Sequence, residues 1–217
     1  MRYLLAFLFT VASIHAQEKL PFADEVLEIQ QKTDSLWDSS RKTIVFTGSS
    51  SIRLWTDLQD RFPNDQVLNT GFGGSQSSDL ENYMDELILN YNPVKVFIYE
   101  GDNDINDKKR PRAIVDTFVD ILEHLRGKKP ELEIVLISAK PSISRWHLKR
   151  RYIRLNRKLN KLATKMAGVH FADVWTIMLD KRKLKNDLFI EDGLHMNTKG
   201  YDLWFGVLKK YMNPNNP

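Results

Sequence analysis

The chain has 217 residues, 42% of them hydrophobic, with 32 Lys and Arg against 28 Asp and Glu. That length and apolar content suit one globular domain with a sizeable core, and a formal net charge of +4 is too mild to argue nucleic-acid binding. The absence of cysteine excludes disulfides, a thiolate nucleophile, a Cys-based metal site and a lipidated N-terminal cysteine.

The N-terminus opens with Met1-Arg2, an apolar stretch from Tyr3 to Ile14, and Ala16 before the polar run Gln17-Glu18-Lys19. A positive start, a short apolar region and a small residue are the parts of a secretory signal peptide. The run is shorter than the roughly 18 apolar residues that a membrane span needs. Residues 1–16 are therefore read as a leader and 17–217 as a single domain, exported to the periplasm or the extracellular space without stable membrane insertion. Ile14 is an unusual residue at its place before the cut, so the cleavage point itself is not fixed by the pattern.

Beyond the leader, Phe22 to Trp37 reads as an amphipathic helix. Thr43 to Thr47 is β-branched and apolar, hence a strand; Leu54, Trp55 and Leu58 follow at helical spacing. Gln66 to Asn69 is a second strand, and Leu80 to Asn90 a helix ended near Asn92-Pro93. Val94 to Tyr99 is apolar but for Lys95, as expected of a strand buried on both faces. Pro111 suits the first turn of a helix that Gly127 would stop. Glu133 to Ser138 is a fourth strand, His147 to Ala167 a long helix ended by Gly168, Val169 to Phe171 a fifth strand, and Thr198 to Tyr211 a closing helix. Alternating strands and helices predict an α/β fold with a mostly parallel sheet covered on both faces. In such folds ligands bind where loops leave the carboxyl ends of the strands. The polar runs Gly48 to Ser51, Gly71 to Ser78 and Gly101 to Asn106 follow the first three strands.

Each run has an ordinary reading as well as a chemical one. Ser49, Ser50 and Ser51 suit a helix cap, but a serine at a strand-to-helix turn can also project its hydroxyl while its amide faces a developing anion. Gly73-Gly74 is a turn, or a loop whose amides approach a ligand; the Lys-Ser/Thr ending of a phosphate loop is missing. Asn103 is an Asx turn, or a neutral amide donor to an oxyanion. Asp102, Asp104 and Asn106 alternate as in a calcium loop, yet Asp107 stands where that loop needs glycine and Ala113 where it needs glutamate. Asp192 and His195 are three residues apart on a loop, a spacing at which the carboxylate can hold one imidazole nitrogen and leave the other for a serine. The ordinary alternative is a surface Asp and a capping His. His124, His147 and His170, in helix-like stretches and a short strand, are not read as metal ligands.

Taken as a set, Phe46-Thr47-Gly48-Ser49-Ser50, Gly73-Gly74, Gly101-Asp102-Asn103-Asp104 and Asp192-Gly193-Leu194-His195 resemble, in order, the four blocks of the SGNH (GDSL-type) hydrolases. The resemblance covers about Thr43 to Tyr211. It implies a three-layer α/β/α flavodoxin-like fold with a mostly parallel central sheet of about five strands, and a serine esterase that needs no metal and no other cofactor. It implies that Ser50 is the nucleophile, His195 the base and Asp192 the residue that orients it. It further implies an oxyanion hole of the Ser50 amide, the Gly74 amide and the Asn103 side chain. Two positions depart from the family pattern: Ser49 stands where Asp is usual, and Asp102 follows the glycine of the third block.

The partner expected is a small-molecule or carbohydrate ester with a short acyl group, acetyl on a sugar being the leading example. No nucleic acid is expected, and the oligomeric state cannot be read. No lid-like apolar insertion points to a long-chain lipase. The helix with Lys149, Arg150, Arg151, Arg154, Arg157, Lys158, Lys161 and Lys165 reads as a solvated basic face, with an acidic glycan as the sharper alternative. Trp146 suits rim packing, or stacking on a sugar. Two further functions fit the same residues: a non-catalytic exported glycan-binding module, against which the complete Ser50, Asp192 and His195 set argues, and an acyltransferase, which product analysis with a sugar acceptor would separate from a hydrolase.

Overall fold

The structure is a computed structural model that describes residues 19–212; the expected leader lies outside the described residues. Five strands form one parallel sheet: β1 (Thr43–Gly48), β2 (Gln66–Asn69), β3 (Lys95–Tyr99), β4 (Glu133–Ile137) and β5 (Val169–Ala172), in the order β2-β1-β3-β4-β5. This is the flavodoxin-like order. A short antiparallel hairpin, β6 (Leu179–Asp180) with β7 (Lys183–Leu184), was not expected.

Successive strand side chains point to opposite faces, so each apolar strand supplies two cores. Val45, Leu68, Val96, Ile98, Ile134 and Leu136 face one way. They pack against α1 (Ala23–Asp34), α3 (Ser77–Glu81), α4 (Met84–Leu87), α6 (Pro111–Lys128) and α7 (Lys149–Ala163). Ile44, Phe46, Phe97, Tyr99, Val135 and Ile137 face the other way, against α2 (Ser50–Arg53) and α8 (Thr198–Leu208). Phe46 and Phe97 stack across the β1–β3 pair with ring centroids 4.1 Å apart, and full burial of such a side chain stabilises the fold by about 1.5–3 kcal/mol.

Three predicted helices are cut differently. The helix after β1 is one turn, because Asn69 Nδ2 donates to the carbonyls of Ile52 and Trp55 and draws them out of a helical ladder. The stretch 80–90 is divided into α3, α4 and a 3₁₀ turn at Leu89–Tyr91, while still burying Leu80, Met84, Leu87 and Tyr91. The helix after β3, α5 (Asp102–Asn106), stands where a loop was expected. Gly127 does not stop α6, which runs through it.

The order β2-β1-β3 makes the chain leave β1 and β3 in opposite directions, and the crevice between such loops is where these sheets bind ligands. Gly48 lets the two strand ends meet. Its φ is +125°, and a Cβ there would collide with the Tyr99 carbonyl, which instead accepts the Ser49 amide at 3.0 Å.

Candidate active site

Ser50, Asp192 and His195 meet at the carboxyl edge of the sheet. Ser50 Oγ lies 2.9 Å from His195 Nε2, across 145 residues of sequence. Ser49 and Ser51 are buried, and Ser49 makes no side-chain cap. The hydroxyl that faces the imidazole is therefore that of Ser50, and the capping reading fails. α2 is a single turn, so its dipole is too short to matter much; an anion would be met by the free amide of Ser50 itself, which has no partner among the described residues.

The loop that carries His195, the candidate base loop, is organised by its own carboxylate. Asp192 Oδ2 lies 2.5 Å from His195 Nδ1. Its Oδ1 accepts the amides of Leu194 at 2.8 Å and His195 at 2.9 Å. With Nδ1–H donating to Asp192, the Nε2 lone pair is left to face Ser50. Partial desolvation opposes the Asp192 charge, but the two amides and the imidazole outweigh it and hold its pKa at about 2. Gly193, at φ +64°, completes the turn, which closes through its amide to the Ile190 carbonyl at 3.0 Å and the Ile190 amide to the His195 carbonyl at 2.9 Å.

The glycine loop adjoins Ser50. Phe72 donates its amide to the Gly48 carbonyl at 2.8 Å, and the Gly73 amide is taken by Glu25 Oε1 at 2.8 Å. Gly74, in the left-handed region at φ +73° with open space where a Cβ would be, keeps its amide free among the described residues. Asn103 joins this loop: its Nδ2 donates to the Ser75 carbonyl at 2.8 Å, and its Oδ1 accepts from Arg145 Nη2 at 3.0 Å. An amide nitrogen carries two hydrogens, so the second is left for a ligand.

Behind Asn103 lies a buried polar cluster that the sequence did not reveal. Asp102 accepts from Tyr99 Oη at 2.9 Å, Tyr152 Oη at 2.5 Å and Arg145 Nη1 at 2.6 Å, with Lys140 Nζ 3.4 Å away. Burial alone would raise the Asp102 pKa; Lys140 and Arg145 reverse this and hold it at about 2. Burial lowers Lys140, with Asp102 opposing the shift, and pushes Tyr99 and Tyr152 well up, so both phenols remain donors. Lys140 Nζ also donates to the Leu194 carbonyl at 2.8 Å, which ties the cluster to the base loop. The calcium-like spacing thus serves other bonds: Asp102 goes to these cations, and Asp104 accepts the Ser77 amide and hydroxyl. Among the described residues no group of His, Cys, Asp and Glu is placed to hold a metal.

Of the two features with a glycan alternative, Trp146 is packed on a neighbouring ring and the basic face of α7 is open. Trp146 stacks on Trp175 at 6.1 Å and carries Lys149 Nζ 4.8 Å from its ring centre. On α7 the stripe Tyr152, Leu155 and Leu159 is buried while Arg150, Arg154, Arg157 and Lys158 face out. Glu25 and Lys140 were missed as well. A lysine closely following a buried strand, after Ser138 and Ala139, was a usable signal for Lys140; nothing near Glu25 in the sequence marks it.

A protein-family model described as GDSL-like Lipase/Acylhydrolase matches residues 34–203. The chain belongs to that family. The GDSL-like chain resembles solved structures over most of its length. A Streptococcus pneumonia protein, provisionally described as a platelet activating factor, is 25% identical, with a TM-score of 0.77 over 88% of this chain and 94% of that one. A GDSL-like lipase from Bacteroides thetaiotaomicron is 19% identical, with a TM-score of 0.73 over 86% and 96%. An acetylxylan esterase from Geobacillus stearothermophilus, solved as a catalytic mutant, is 15% identical, with a TM-score of 0.63 over 79% and 94%. The latter two likenesses are likenesses of fold. No curated protein matches the sequence. Family and fold agree with the four-block reading, and among the described residues no helix is long and apolar enough to cross a membrane.

Proposed function

We propose that this hydrolase-family protein is an exported serine esterase that removes short acyl groups, with acetyl esters of carbohydrates as the leading substrate class. Residues 1–16 would be its leader and 17–217 its single domain. The observation that carries the reading is the 2.9 Å approach of Ser50 Oγ to His195 Nε2, with Asp192 on the far nitrogen. The acetylxylan esterase among the structural relatives supports the substrate class by analogy of fold only.

In this reading His195 Nε2 takes the hydroxyl proton of Ser50 as Oγ bonds to the ester carbonyl carbon. The carbonyl oxygen becomes an oxyanion and accepts from the amides of Ser50 and Gly74 and from Asn103 Nδ2. The bond to the alcohol oxygen then breaks, and His195 gives that oxygen its proton. Water, deprotonated by His195, attacks the acyl-serine; the second tetrahedral adduct collapses to the acid as the bond to Oγ breaks and His195 returns the proton to Ser50 Oγ. Asp192 keeps Nδ1 protonated and stabilises the imidazolium of each cycle.

Purified wild type and Ser50→Ala protein, assayed on aryl esters of increasing chain length and on acetylated sugars, test the proposal. Wild type should hydrolyse acetyl esters fastest, and Ser50→Ala should fall to near background with its thermal midpoint kept. Equal rates in the two proteins would remove the nucleophile; a preference for long chains would remove the substrate class.

A further inference from the structure

The loop that follows β4 touches both halves of the candidate site. Lys140 Nζ and the Ser144 amide hold the carbonyls of Leu194 and Gly193 in the base loop, at 2.8 and 3.1 Å. One residue on, Arg145 turns the other way: Nη1 bonds Asp102 Oδ1 at 2.6 Å and Nη2 bonds Asn103 Oδ1 at 3.0 Å. The guanidinium side chain is 12% exposed and Asp102 5%, so water competes little for either bond.

A side-chain amide has nearly the same shape either way round, and Asn103 could present oxygen or nitrogen to a ligand by turning half a circle. Oxygen toward a developing oxyanion would be repulsive. Two contacts exclude it here. The Ser75 carbonyl accepts only from the nitrogen end, and Arg145, which has donors and no acceptor, bonds only the oxygen end. Arg145 cannot swing off without leaving Asp102, whose other partners are Tyr99, Tyr152 and Lys140. A hydrogen bond from a guanidinium to the amide oxygen also withdraws electron density from the nitrogen, which makes its remaining hydrogen a better donor.

We propose that Arg145, seated on the Asp102 carboxylate, is a positioning residue for the oxyanion donor: it fixes the Asn103 side chain with nitrogen toward the reacting carbonyl and oxygen away from it. The inference rests on the oxyanion reading of Asn103. Arg145 touches no substrate, and its effect passes through one side chain, so it must vanish when that side chain is absent.

The test is a double-mutant cycle on a short-chain ester with kcat and KM measured separately. Asn103→Ala should lose about a hundred- to a thousandfold in kcat. Arg145→Met should lose roughly ten- to a hundredfold in kcat with little change in KM, and added guanidinium ion at millimolar concentration should restore part of it. Combining the two changes should give a kcat no lower than that of Asn103→Ala alone. Arg145→Lys keeps the charge but lacks the planar fork that spans Asp102 and Asn103. It should show a smaller kcat loss, absent again in the Asn103→Ala background, and it decides the matter if Arg145→Met lacks a cooperative thermal transition. Wild-type kcat in the Arg145 variants, or equal losses with and without Asn103, would overturn the inference. A wild-type kcat in Asn103→Ala would overturn the oxyanion reading beneath it.

Discussion

Asp192 and Asp102 are both held at a pKa of about 2, by opposite means. Asp192 lies on a partly exposed loop and takes its stabilisation from its immediate neighbours, the amides of residues two and three positions on and the imidazole of the latter. Asp102 is buried and takes its stabilisation from cations that lie 38 and 43 residues away in sequence. A local arrangement of this kind can survive as a loop motif on many backgrounds. A buried one works only when the sheet has formed, because each charge would be costly to bury without the others. In the proposed mechanism the first serves the reaction directly, and the second holds the parts that serve it, through Lys140 to the His195 loop and through Arg145 to Asn103.

The comparison breaks most sharply at Asp192. Asp192→Asn should cost on the order of ten-thousandfold in kcat while the denaturant midpoint moves little, since the carboxylate is partly solvated; steady-state kinetics beside urea melts read both. A large stability loss would erase the distinction. Asp102→Asn should do the reverse in emphasis, leaving Lys140 and Arg145 without their counter-charge and costing about 3–5 kcal/mol of stability, as measured by urea unfolding.

The pH dependence sharpens the same contrast. The folded value of Asp102 lies below its ordinary 3.8, so its contribution is fully present above about pH 4 and is lost as pH falls through about 2. That contribution is on the order of 2 kcal/mol. Glu100, two residues earlier, has the opposite sign. Burial, partly offset by the Ser75 hydroxyl on Oε1 at 2.6 Å, pushes its carboxyl well above the ordinary 4.5, and among the described residues no cation forms an ion pair with it. The folded chain therefore keeps a proton that the unfolded chain releases, and stability falls as pH rises above about 4.5. Glu100→Gln should flatten that decline and keep the Ser75 bond; an unchanged stability–pH curve would show that Glu100 ionises freely when folded. The smallest effect is expected at Glu25, which holds the Gly73 amide and lies before the family-matched region. Glu25→Ala should lower kcat severalfold and stability by about 1 kcal/mol, and Glu25→Gln, which retains an acceptor, should recover most of both.

Legibility followed distance along the chain. The five strands could be read because each is a short segment rich in apolar and β-branched residues, and the order of polar loops after them could be read because those loops interrupt the apolar pattern. Helix ends were less legible: Asn69 shortens α2 from another strand, and Tyr83 Oη bonds the Pro21 carbonyl where the predicted helix is divided. Asn103 was legible as a candidate donor, but its contact with Arg145 was not, since Arg145 carries no sequence mark that couples it to a residue 42 positions earlier.

The sequence by itself determined the strand–helix alternation, the glycines that permit the tight loops, and the Asp192-to-His195 spacing, because each depends on residues within a few positions of one another. The tertiary structure alone decided how closely Ser50 approaches His195, which amides remain free, and that Asp102 is an anion among buried cations and phenols. Those outcomes depend on the strand order that places the ends of β1, β3 and β4 side by side. That order follows from how the whole chain buries both faces of its sheet, and no short stretch of residues encodes it.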